Sequence, residues 1–188
     1  VTAGDAYNSA CGTRAANCPE ENGPDYDFGS SAILVRLSNG RELLVAGQKS
    51  GMVYALDPDR KGAIVWQRRV GKGGVNGGVQ WGMASDGRKV YAAVSDIGRT
   101  RNPNAGPFDT GFPLVDPKQG GGLTALGIID GEKVWYAAPA PCDTKVGCSP
   151  AQSAAVTALP GVVFSGSAVG HLPAFSGDAG SVVWEFET

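Results

Sequence analysis

Long apolar runs are missing from this sequence. No stretch approaches the ~18–20 residues that a membrane-spanning helix needs, so no membrane span is expected. Charge of one sign is not gathered anywhere: acids and bases are interspersed around a net charge of −2. A nucleic-acid partner is therefore not expected. No Gly-X-Y period accompanies the 29 glycines, which excludes a collagen. The opening Val1-Thr2-Ala3-Gly4-Asp5 shows no basic segment followed by an apolar one, so no signal peptide is expected. It also lacks an initiator methionine, as a mature piece or a cut from a longer chain would. Histidine is down to one, His171, and no Cys-x-x-Cys-His haem signature occurs.

What is present is an apolar fraction of 42%, enough for a packed core, with glycine scattered between short Val, Ile and Ala runs. That texture suits many tight turns joining short strands. Four cysteines form two close pairs in loop-like segments, Cys11 with Cys18 and Cys142 with Cys148. An even number in loops fits disulfides and an oxidising compartment. Zinc is the competing reading, but the spacings are too wide and His171 lies elsewhere. Of the three possible pairings, the local one is simplest.

The strongest signal is a repeat. Gly62-Ala63-Ile64-Val65-Trp66, Gly131-Glu132-Lys133-Val134-Trp135 and Gly180-Ser181-Val182-Val183-Trp184 each put Gly four residues before Trp, with Val just ahead of the ring. Upstream of each comes Ala plus an apolar neighbour: Ala55-Leu56, Ala125-Leu126, Ala174-Phe175. The first and third copies align without gaps from Gly47 to Ala55 and from Gly166 to Ala174, a shift of 119 positions (166 − 47 and 174 − 55). Recurrence of this kind marks a repeat architecture, and each copy reads as strand, turn, strand.

Three units of four strands follow, making an all-β chain read as a partial β-propeller. After an irregular lead-in over 1–28, the first blade spans 29–69, with the hairpin signal Asn39-Gly40. The second spans 78–137, starting near Gln80-Trp81-Gly82-Met83-Ala84 and holding a long loop over 96–120. Loops of that length are usually functional or disordered. The third spans 152–188, beginning with a strand over Ser153–Leu159. Three blades cannot close a ring that needs about four to eight. The expectation is one segment of a larger ring; a self-contained sandwich of the same strands is the alternative.

Repeats of the form Ala-x-Asp, turn, Gly-x3-Trp resemble those of the pyrroloquinoline quinone (PQQ) dehydrogenases. The likeness sharpens at Gly23-Pro24-Asp25-Tyr26-Asp27-Phe28-Gly29-Ser30-Ser31, at Ala46 through Asp57, at Gly77-Gly78-Val79-Gln80-Trp81-Gly82 and at Cys148-Ser149-Pro150-Ala151-Gln152-Ser153. Together these resemble the polyvinyl alcohol dehydrogenase branch. The resemblance implies an eight-bladed ring, bound PQQ with Ca²⁺, a periplasmic location, alcohol as substrate and cytochrome c as electron acceptor. It implies Asp27 as the catalytic base and a possible Ca²⁺ ligand. It implies Lys49, Gln80 and Trp81 as cofactor contacts, with Gln80 departing from the Asn of the broader pattern. The remaining blades of a parent chain would supply what is absent here, so this segment by itself is expected to be inactive.

Elementary chemistry supports those residue types. A carboxylate can take an alcohol proton, and a cation beside a quinone carbonyl stabilises the charge that develops on reduction. Plainer roles exist for each: Asp25 and Asp27 as turn caps, Lys49 as a solvated turn residue, Trp81 as core, Asp96 as a loop cap, His171 as a surface strand residue. The Asp57 of the first copy is Gly127 and Ser176 in the others. Pro173 within a strand suggests a bulge or an edge. Two other functions are weighed. One is a non-catalytic propeller scaffold or assembly protein, which needs neither Asp27 nor Lys49. The other is a glycoside hydrolase using Asp25 and Asp27, which an extended chain would hold about 6–7 Å apart on one face.

Overall fold

The computed structural model describes residues 4–6, 11, 16–100, 114–142 and 147–187. Three four-stranded antiparallel sheets follow one another along the chain. The first is β1 (Ile33–Arg36), β2 (Glu42–Gly47), β3 (Met52–Asp57) and β4 (Ala63–Arg69), paired in chain order. The second joins β5 (Ala84–Ser85), β6 (Lys89–Ala93), β9 (Leu123–Gly127) and β10 (Lys133–Ala137). Between β6 and β9 lies a two-stranded arm, β7 (Arg99–Thr100) with β8 (Leu114–Val115). The third is β11 (Val156–Leu159), β12 (Val162–Ser165), β13 (His171–Ser176) and β14 (Val182–Glu187).

The repeat has a geometric cause. Each Ala of the motif faces its Trp across the third and fourth strands: Ala55↔Trp66, Ala125↔Trp135, Ala174↔Trp184. The next pairs are Leu56↔Ile64, Leu126↔Lys133 and Phe175↔Val182, so one residue is skipped each time. That skipped residue is the Val preceding the Trp. The motif is thus a β-bulge, which bends and twists the outer strand at a fixed place. The turn glycines adopt left-handed backbone, as at Gly131 and Gly180. In all three copies the turn closes on a main-chain carbonyl: Gly62 N–H donates to Asp57 O, Gly131 to Gly127 O and Gly180 to Ser176 O. The backbone does this work, which is why Gly127 and Ser176 can replace Asp.

The Trp rings join neighbouring sheets. Trp66 Nε1 donates to Ile128 O and Trp135 Nε1 to Gly177 O, both at 3.0 Å. Each ring lies over the glycine of the next sheet's turn, where an added Cβ would fall 2.5 Å from Trp66 at Gly131 and 2.6 Å from Trp135 at Gly180. One core cluster therefore unites the first and second sheets and another unites the second and third. The first strands lie together, β1 against β5 and β11 against β5 and β6. Sheets that meet along their first strands and clamp through their outer ones form an arc of propeller blades.

Several sequence boundaries shift. The second sheet begins at Ala84, leaving Gln80–Met83 in an irregular connection. Four glycines among residues 73–78 keep that approach off a pleated path. The third begins at Val156 rather than Ser153. The span 96–120 is not all loop, since β7 and β8 pair within it; its residues 101–113 lie outside the described residues. Pro173 sits beyond the last β12–β13 pair, Phe164↔Ala174, where no ladder donor is needed on that side. The cysteines pair locally, Cys11–Cys18 and Cys142–Cys148, the second buried against Val169.

Candidate functional site

In an antiparallel meander, the segment before the first strand, the turn between the second and third, and the connection leaving the fourth all fall at one end. For the first blade these are 25–32, 48–51 and 70–83, the segments carrying Asp27, Lys49, Gln80 and Trp81. The structure brings them together. Lys49 N–H donates to Asp27 O at 2.9 Å, Gly74 N–H to Lys49 O at 3.1 Å and Val79 N–H to Gln48 O at 3.1 Å. Gly29 has no side chain because Gln80 O would lie 2.8 Å from its Cβ. Gly78 is likewise seated on the carbonyl of Lys49.

The Lys49 ammonium lies between two carboxylates, 2.6 Å from Asp25 and 3.5 Å from Asp27. Asp25 is buried and Lys49 partly so, whereas the Asp27 side chain is 69% exposed. Burial pushes the Asp25 carboxyl above the usual carboxylate range; the Lys49 hydrogen bond opposes this and the Asp27 carboxyl adds to it. Asp25 is left-handed at φ 65°, and the Asp5 carboxylate accepts the N–H groups of Asp25 and Tyr26. That kink removes the extended geometry on which a glycosidase spacing of Asp25 and Asp27 rests. Sequence reasoning treated Asp25 as a turn cap; its burial and its direct ion pair with Lys49 follow from the tertiary fold.

Gln80 turns its amide onto Val75 O at 2.9 Å, bracing its own loop, and Trp81 is about half exposed. Ser30 Oγ, between Asp27 and β1, is buried and has no hydrogen-bond partner. Among the described residues no group of three or more His, Cys, Asp or Glu is placed to hold a metal. No helix among them is long and apolar enough to cross a membrane. His171 is half-buried, its Nδ1 2.8 Å from Glu185.

A family model described as outer membrane protein assembly factor BamB, PQQ_2, matches residues 49–188. The chain belongs to the PQQ_2 family. Over its whole length it is 48% identical to the polyvinylalcohol dehydrogenase of a Pseudomonas species and 41% identical to that of Sphingopyxis sp. strain 113P3. It spans 27% and 28% of those proteins, about a quarter of the length of each. Among solved structures, the quinohemoprotein alcohol dehydrogenase of Pseudomonas putida HK5 superposes with a TM-score of 0.60 at 16% identity. That match covers 90% of this chain and 32% of the other, and it shows a shared propeller fold.

Proposed function

We propose that this PQQ_2 chain is a segment of a PQQ-dependent, polyvinyl alcohol dehydrogenase-like enzyme, one arc of an eight-bladed ring. The observation that supports it most is the meeting of Asp27, Lys49 and the Gln80–Trp81 connection at one end of a blade. Identity of 48% to a polyvinylalcohol dehydrogenase over the whole chain points the same way. Two disulfides suit the periplasm, with cytochrome c as the electron acceptor.

The residues present fit the cofactor in kind. An ammonium carries three N–H donors; Asp25 takes one, leaving Lys49 able to face a quinone carbonyl. The exposed indole of Trp81 offers a flat surface for a ring. PQQ, when bound, supplies the acceptor for the alcohol's two electrons. Asp27 takes the hydroxyl proton at a carboxylate oxygen open to solvent. The other oxygen of the same carboxylate is the one this segment would offer to Ca²⁺, with the other ligands coming from the rest of the ring.

The test is dye reduction by alcohols in the full-length protein reconstituted with PQQ and Ca²⁺. Asp27→Ala should lower kcat by about 10²–10⁴, the usual worth of a general base, and activity that survives it removes the assignment. Lys49→Ala should lower kcat while the protein stays folded. The description of the matching family model suggests a second reading, a non-catalytic assembly protein, but the identity of 48% over the whole chain is to a dehydrogenase. A reconstituted wild type that reduces no dye with any alcohol would decide for it.

A further inference from the structure

Asp96, the first residue of the β6–β9 interval after Ser95, stands outside the cluster above yet reaches the connection that builds it. Its backbone is left-handed at φ 44°, a conformation few residues other than Gly, Asn and Asp adopt. Its carboxylate accepts three main-chain N–H groups from one loop: Lys72 at 2.7 Å, Gly73 at 3.1 Å and Gly78 at 2.6 Å. Hydrogen bonds to an ionised carboxylate are the strong kind. Three of them close residues 72–78 into a ring around one side chain. Ser95 N–H adds a fourth tie, to Gly78 O at 2.9 Å.

Glycine at 73 and 78 lets the ringed loop press on the Lys49 turn. A Cβ at Gly73 would fall 2.5 Å from Ser50, and Gly78 rests on Lys49 O. Gly74 N–H is bonded to that same carbonyl. The loop then runs directly into Gln80 and Trp81. Asp96 thus fixes one short segment that backs Lys49 on one side and presents Gln80 and Trp81 on the other.

We propose that Asp96 is a positioning residue, the clamp through which the second blade holds the Lys49 turn and the Gln80–Trp81 connection in register for PQQ. This rests on the functional reading above, and two readouts in the full-length protein separate them. The first needs no cofactor. In Asp96→Asn, which keeps the left-handed backbone, hydrogen exchange at Lys72, Gly73 and Gly78 should rise at least about tenfold while β2 and β3 amides stay protected. The second is PQQ binding in Ca²⁺, followed by quenching of tryptophan fluorescence. The Kd should rise about tenfold in Asp96→Asn and stay at the wild-type value in Asp116→Asn, a carboxylate that among the described residues caps its own turn through Lys118 and Gln119. Unchanged exchange overturns the clamp. Faster exchange with an unchanged Kd reduces Asp96 to a structural residue and overturns the positioning role. A wild type that takes up no PQQ would instead overturn the functional reading, with the exchange result still judging the clamp.

Discussion

The three tryptophans of the repeat share one sequence context and two fates. Trp66 and Trp135 are 8% exposed, each lying on a glycine of the next blade and bonded to its main chain. Trp184 sits opposite its alanine beside the same bulge, yet it is 51% exposed, and among the described residues its ring pairs with Phe164 and Phe186 of its own sheet. The mirror image holds at the other edge: a Cβ at Gly62 meets nothing within 4 Å, whereas at Gly131 and Gly180 it meets a ring. The motif therefore shapes the blade by itself, but its stabilisation comes only where a following turn arrives under the indole.

That contrast can be broken most strongly at the rings. In the 188-residue chain, Trp66→Ala or Trp135→Ala should cost about 3–5 kcal/mol, and Trp184→Ala under about 1 kcal/mol, read by urea denaturation. Equal losses at all three would show that the ring acts within its own sheet. The glycines sharpen the comparison. Gly62→Ala, Gly131→Ala and Gly180→Ala all place a side chain in left-handed backbone, a penalty of about 1–2 kcal/mol. Gly131 and Gly180 must also displace an indole, so their midpoints should fall further than that of Gly62→Ala.

A smaller effect should come from the carboxylate behind the second seam. Tyr91 packs 5.7 Å from Trp135 and donates to Asp86 at 2.7 Å. Burial works to raise the Asp86 carboxyl, but the bonds from Tyr91 and from the Lys89 and Arg88 amides outweigh it and hold it below its usual value. Its contribution is therefore complete above the ordinary carboxylate pKa and is lost as pH falls through the lower folded value. Asp86→Asn should cost about 1–2 kcal/mol near neutrality. The gap from wild type should narrow as the pH is lowered through the acid range in parallel denaturation series.

The blades were legible because their signals are local. Alternation, turn glycines and the Gly-x3-Trp spacing place β1 to β4 and β9 to β14 within a few residues. The skipped valine was visible too, as the Val ahead of each Trp, though its meaning needed the register. The site was legible only as residue types. That Lys49 sits between Asp25 and Asp27 depends on the left-handed turn at Asp25, which its sequence does not announce. Gln80 and Trp81 read as the start of a strand because apolar residues follow, but the glycines before them favour an irregular path. Asp96 looked like a loop cap; that it caps a different loop, more than fifteen positions upstream, is a tertiary fact.

The β6–β9 ladder runs unbroken from Lys89↔Gly127 to Ala93↔Leu123, although the chain leaves the sheet between Ala93 and Leu123 and returns. Closing a longer excursion adds little entropy for each residue gained. The second blade can therefore be remodelled at this end by lengthening or exchanging the part of the interval beyond Asp96, while the opposite end, held to tight turns such as Asp86-Gly87 and Asp130-Gly131, keeps the sheets in step.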